Sequence, residues 1–386
     1  MAQWKNYFVK YASLIDDHFD ELVTDFRKRL GSFKPLQIVA YRSYGTASSI
    51  YIKGRVLEDK KIAAAGDKDT VLSNLLNMYK RFETDEVPGA VVQAIVADET
   101  FDVTTDEEGY FVLKIATKQP IEEATLWHSI RLQIMDAPIP HEKGITAKAE
   151  IMIPPPDAEY GIISDIDDTI IRTGATDLLA MSRTTFLHNA RTRLPFAGVA
   201  EFYRSLQLGR NGKRNNPFFY VSSSPWNLYD LLKDFLDLND IPEGPLLLRD
   251  FGLNQTPENG GGHMGHKLKE IEQILQAYPL LNFVLVGDSG QEDPAIYREV
   301  VTKFPGRILA IYIRDVQLTD REKIAVEISQ SMVEHKVEMI IVDNTVEAAT
   351  HAASTGLIFT AAIPAIEKDK EADKGQAPGK EEATIT

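Results

Sequence analysis

The chain has 386 residues, of which 44% are hydrophobic and 26% charged, and it carries a formal net charge of −15. That length supports two or three domains with their own cores, and the negative charge argues against nucleic-acid binding and against simple adsorption to anionic membranes. Cysteine is absent, which excludes disulfides, thiolate zinc sites and cysteine nucleophiles. No apolar run approaches the roughly 18 residues of a membrane span, and the first residues lack a secretory signal, so the expectation is a cytoplasmic protein.

Trp4, Phe8, Tyr11, Ile15, Phe19, Leu22, Phe26 and Leu30 recur at spacings of four and three. They predict an amphipathic helix over 3–30 that ends at Gly31, giving a first unit of 1–31 whose aromatic stripe suits docking. Residues 36–153 read as strands at 36–44, 49–57, 90–97, 101–104, 110–115, 124–135 and 145–153, with one helix over 70–83. Asp106-Glu107-Glu108-Gly109 marks a hairpin. Short strands at this spacing predict an antiparallel β-sandwich-like domain. After the stiff linker Pro154-Pro155-Pro156 the pattern changes to alternating strands and helices over 157–363. This predicts an α/β domain with a parallel sheet covered on both faces, its ligand at the carboxyl ends of the strands. Residues 367–386 are charged and nearly free of apolar side chains, which predicts a disordered tail.

Four strand ends or helix starts carry the chemistry. The strand Gly161-Ile162-Ile163 delivers Asp165, Asp167 and Asp168 within four residues. Alone this reads equally as a solvated acidic turn or as a hard-metal site, because a buried carboxylate costs several kcal/mol unless a cation sits beside it. Phe218–Val221 leads into Ser222-Ser223-Ser224-Pro225-Trp226, where Ser224 and Pro225 fit the N-cap and first position of a helix and the hydroxyls suit a phosphate. Lys267 follows a glycine-rich loop and is read as opening a helix. There it opposes the dipole unless an anion lies nearby. His263 and His266 alone are a weak zinc signal. Finally, Val284–Val286 runs into Gly287-Asp288, with Asp293 five residues on. Asp288 and Asp293 are candidates to complete a hard-metal site with Asp165.

In that order, Asp-x-Asp-x-Thr, a strand ending in Ser, a Lys, and Gly-Asp-x-x-x-x-Asp resemble the four motifs of the haloacid dehalogenase superfamily. The wording at 164–170, 220–229, 248–252, 266–267 and 287–294 is similar to the App1-type phosphatidate phosphatase family. The family often shows Asn at the position of Ser223. The resemblance implies a Rossmann-like haloacid dehalogenase fold with a minimal cap, preceded by the β-sandwich-like domain and the N-terminal helix. It also implies an Mg²⁺-dependent hydrolase that converts phosphatidate to diacylglycerol and phosphate. By that resemblance Asp165 is the nucleophile and Asp167 the general acid and base. Asp165, Asp288 and the Asp167 carbonyl hold Mg²⁺ with Asp293 assisting, and Ser222 and Lys267 bind the phosphoryl oxygens. Ser223, Ser224 and Arg172 are candidate substrate contacts, and Asp168 and Thr169 shape the turn.

The alternatives are the same chemistry on a soluble phosphomonoester, a phosphotransferase, and an adaptor whose β-sandwich binds a partner. Residues 172–193 combine Arg172, Arg183, Arg191 and Arg193 with Leu178, Leu179, Met181, Phe186 and Leu187. This composition suits either an anionic lipid surface, hence peripheral membrane contact, or a core-facing helix with solvated arginines. Oligomeric state is not legible.

Overall fold

Burial alternates along the first strands and is continuous along the later ones, and that difference separates two sheets. The computed structural model describes residues 35–59, 85–121, 125–167, 169–170, 196–249, 263–316 and 319–375. The expected helices over 3–30 and 70–83, the 172–193 segment with Arg172, and Asp168 lie outside them.

Eight strands form the first sheet: β1 (Leu36–Ala40), β2 (Ser43–Gly45), β3 (Ser49–Glu58), β4 (Val91–Val96), β5 (Glu99–Thr104), β6 (Tyr110–Ala116), β7 (Trp127–Asp136) and β8 (Thr146–Met152). Their pairing is antiparallel apart from β2 with β8, in the order β1-β3-β2-β8-β7-β4-β5, with β6 on β3. Alternate residues such as Ile50, Ile52, Val92, Ala94, Leu132 and Ile151 are fully buried in one shared core. That is the period-2 pattern of strands with one face covered. One expected strand, 36–44, is two. The Tyr41 amide still donates to the Lys53 carbonyl at 3.0 Å, but the ladder does not continue to Arg42, whose amide donates instead to Tyr229 Oη of the helix that starts there, at 2.7 Å.

The second sheet is parallel throughout. It comprises β9 (Gly161–Ser164), β10 (Phe218–Pro225), β11 (Leu246–Arg249), β12 (Phe283–Asp288), β13 (Ile308–Arg314) and β14 (Met339–Val342), in the order β11-β10-β9-β12-β13-β14. Among the described residues, seven helices cover it: α1 (Val199–Leu208), α2 (Tyr229–Leu238), α3 (His263–Ala277), α4 (Asp293–Lys303), α5 (Thr319–Met332), α6 (Thr345–Ser354) and α7 (Ile363–Gly375). Ile162, Phe218 and Tyr220 face α1, α2 and α6, whereas Ile163, Phe219 and Leu285 face α3, α4 and α5. A strand buried on both sides has to be apolar at every position, so these segments read as runs. The strand order reverses at β9, leaving a crevice at the carboxyl ends of β9, β10 and β12, where a doubly wound sheet takes its ligand.

The tail differs from expectation over 367–375, which is helical. Ile366 is fully buried and anchors α7. Asp369 and Asp373 accept hydrogen bonds from the Glu201 and Gly198 amides at 3.1 and 2.8 Å. Acids that read as a solvated charge run therefore satisfy the free N–H groups at the start of α1. Among the described residues, no helix is long and apolar enough to cross a membrane.

Candidate active site

Asp165 lies one residue beyond β9, and its amide donates to the Val286 carbonyl at 2.9 Å. That bond ties the β9 turn to β12 and brings Asp165 beside Asp288. The Asp165 side chain is 1% exposed. Lys267 Nζ sits 2.9 Å from Asp165 Oδ1 and 2.7 Å from Asp293 Oδ1. Thr169 Oγ1 donates to Asp165 Oδ2 at 3.3 Å, so the turn residue touches the carboxylate it was expected only to support. Ser164 Oγ meets Tyr203 Oη at 2.8 Å behind this turn. Tyr203 lies on α1 within an ordinary apolar pattern, and no sequence signal separates it from core aromatics.

Asp167 carries the second set. Ser222 Oγ and Ser224 Oγ donate to Asp167 Oδ2 at 2.8 and 3.1 Å, and the Ser224 amide donates to Ser222 Oγ at 2.9 Å. The expected N-cap at Ser224 is therefore not formed. β10 continues to Pro225, a short 3₁₀ turn covers Trp226–Leu228, and α2 starts at Tyr229. The hydroxyl expected as a cap faces the Asp167 carboxylate. Ser223 Oγ is buried without a hydrogen-bond partner among the described residues.

Asp288 ends β12. Its Oδ1 accepts the Gly290 and Gln291 amides at 2.6 and 2.9 Å, and its own amide donates to Asp293 Oδ2 at 3.2 Å. Gly287 is required here: a Cβ at that position would sit 2.5 Å from Asp293 Oδ2 and 2.9 Å from Asp293 Cβ. Lys267 is in the second turn of α3, which begins at His263, and not at the helix start. The anion that justifies it is the carboxylate cluster. His266 faces the Ser222 and Leu247 carbonyls rather than that cluster, and burial followed by the Arg249 charge pushes its imidazole down to about 4. It is not among the grouped candidate metal ligands.

Those ligands are Asp165, Asp288 and Asp293, each with a carboxylate oxygen within 4.8 Å of the others. Three buried acids against the single charge of Lys267 leave the cluster short of positive charge. Burial raises the Asp165 carboxyl despite Lys267, with Asp293 and Asp288 adding to the effect. Burial and Asp293 likewise raise Asp288 to about 7. Burial acts to lower Lys267, but Asp165, Asp293 and Asp288 outweigh it and hold the ammonium charged. Asp288 Oδ2 is buried with no hydrogen-bond partner among the described residues. A hard divalent cation fits this donor set: all ligands are carboxylate oxygens, one lacks a partner, and the charge deficit is of the right sign.

Residues 160–315 match the family model described as phosphatidate phosphatase APP1, catalytic domain. This segment is similar to the App1-type catalytic domain. The App1-type segment spans all the acids, serines and the lysine named above. The chain is 39% identical over 155 residues to phosphatidate phosphatase APP1 of Saccharomyces cerevisiae, covering 40% of this chain and 25% of the relative. It is 30% identical over 241 residues to an uncharacterized protein of Schizosaccharomyces pombe, covering 58% of this chain and 36% of that one. The chain thus spans well under half the length of these curated relatives. Among solved structures, a carbohydrate acetylesterase from Xanthomonas citri aligns over 75% of this chain and 71% of its own, at 9% identity and a TM-score of 0.23. No fold assignment follows from that value.

Proposed function

We propose that the chain is a divalent-metal-dependent phosphatase that hydrolyses phosphatidate to diacylglycerol and phosphate by haloacid dehalogenase-type chemistry. One observation carries the reading: the buried Asp165 carboxylate lies beside Lys267, Asp288 and Asp293, next to an Asp167 held by two hydroxyls, within a segment of App1-type sequence.

Asp165 attacks phosphorus and forms an aspartyl-phosphate as the alkoxide leaves. Asp167 gives that oxygen its proton and then takes a proton from the water that hydrolyses the intermediate. The Ser222 and Ser224 hydroxyls hold the Asp167 side chain for both steps. Lys267, which faces Asp165 in the free protein, turns its ammonium to the phosphoryl oxygens where negative charge accumulates. Asp165, Asp288 and Asp293, with the Asp167 carbonyl, are the residues that would hold Mg²⁺, whose chemistry is to offset charge on those oxygens. Asp165→Asn removes the nucleophile and Asp167→Asn the proton carrier.

Phosphate release from phosphatidate, lysophosphatidate and a set of soluble phosphomonoesters, with and without Mg²⁺, tests the reading. Mg²⁺-dependent release favouring phosphatidate supports it. Turnover confined to soluble esters would move the substrate away from lipids, and no turnover of any ester would remove the phosphatase assignment.

A further inference from the structure

The Ser222–Ser224 turn that grips Asp167 is poorly held by its own sheet. β10 pairs with β11 at Val221↔Leu247 and next at Pro225↔Arg249, with a register shift between them. The three serines therefore have no paired residues in that ladder, and beyond the hydroxyl bonds to Asp167 and the His266 contact at the Ser222 carbonyl their position depends on what fixes the chain on either side. Upstream that is β10. Downstream it is Trp226, which is 8% exposed and held from the other sheet. Tyr41 stacks on the Trp226 ring at 4.9 Å between centroids with 24° between planes. Lys53 Nζ lies 4.0 Å from the Trp226 ring centroid. Tyr41 also packs on Tyr229 at 4.3 Å. A lysine buried against an aromatic face forms a cation–π contact that is stronger for being desolvated.

We propose that Tyr41 and Lys53 of the antiparallel sheet are positioning residues for the candidate active site, acting through Trp226 to hold the Ser222–Ser224 turn on Asp167. The proposal rests on the role given to Asp167 above for its effect on rate, but not for its effect on structure. The antiparallel sheet thereby gains a function of its own. The App1-type segment carries the reactive groups, and its neighbour fixes the geometry of one of them. The same sheet touches the lysine-bearing helix, since Tyr278 Oη, just beyond α3, donates to the Gly45 carbonyl at 2.9 Å.

Two measurements on the full chain test this. Hydrogen exchange of the Ser224 amide reads the turn directly, because that N–H is bonded to Ser222 Oγ. Lys53→Met keeps the packing stem and removes the charge. Trp226→Leu removes the ring, and Trp226→Phe restores part of it. In folded Lys53→Met and Trp226→Leu, Ser224 exchange should quicken about tenfold relative to strands far from the turn, with Trp226→Phe in between. kcat should fall about threefold to tenfold while KM changes less than about twofold. Unchanged Ser224 exchange in folded Lys53→Met overturns the proposal whatever the rates do. If the wild-type protein hydrolyses no phosphate ester, the phosphatase reading fails and the exchange measurement alone decides this one. If Trp226→Leu does not fold, Lys53→Met carries the test.

Discussion

Lys267 lies 2.9 Å from Asp165 in a pocket where both side chains are at most 3% exposed. The ammonium is held charged by the acids around it and opposes the burial that raises the Asp165 carboxyl, and a second acid, Asp293, shares the same ammonium at 2.7 Å. Removing the cation therefore leaves two buried acids without their counter-charge. Lys267→Met should cost about 3–5 kcal/mol of unfolding free energy in metal-free protein, measured by chemical denaturation. A cost below about 1 kcal/mol would show that the pair is not desolvated as described.

Cation binding should stabilise the fold. Asp165, Asp288 and Asp293 lie together only in the native state, so Mg²⁺ at a hundred times its dissociation constant should add about 2.7 kcal/mol. Asp288→Asn should sharply reduce that increment. A melting temperature indifferent to Mg²⁺ in the unmodified chain would contradict the metal site.

Gly287 is a steric requirement. Gly287→Ala would press its methyl group on Asp293 Oδ2, displacing the acid that receives the Asp288 amide and pairs with Lys267. The expected loss is about 1–3 kcal/mol of stability together with weaker Mg²⁺ binding, read by denaturation and by titration calorimetry. Unchanged values for both would mean that the β12 end relaxes freely.

His266 gives the acid limb of stability a named contributor. Burial, aided by Arg249, pushes its folded-state value down to about 4 from an ordinary value of 6.5. Between those values the unfolded chain binds a proton that the folded chain does not. Stability from this group is complete above about pH 6.5 and is lost as pH falls towards about 4. His266→Gln should remove up to ~3 kcal/mol of that loss. Parallel stability–pH curves for the two proteins would exclude the role.

The strand–helix alternation after Pro156 was legible because β9, β10 and β12 each carry an unbroken apolar run, Ile162–Ile163, Phe218–Val221 and Phe283–Val286, as burial on both faces demands. The acids were legible for the same reason: Asp165 and Asp288 interrupt such runs at their ends. Local pattern failed where long-range contacts decide. Ser224 has the residue type and the following proline of an N-cap, yet its hydroxyl goes to Asp167, 57 residues away. The acids at 369 and 373 look like solvent-facing charge, yet they satisfy α1 from more than 160 residues away. Tyr41 and Arg42 carry ordinary strand propensity, and the long-range contact from the Arg42 amide to Tyr229 is what marks the end of the strand.

The nucleophile of the proposed metal-dependent phosphatase site is Asp165. The most direct test compares phosphate release from phosphatidate by the unmodified chain and by Asp165→Asn, each with saturating Mg²⁺ and matched for folded fraction by denaturation. Steady release is expected of the first and a loss of at least about a thousandfold in the second. Comparable release by both proteins would contradict it.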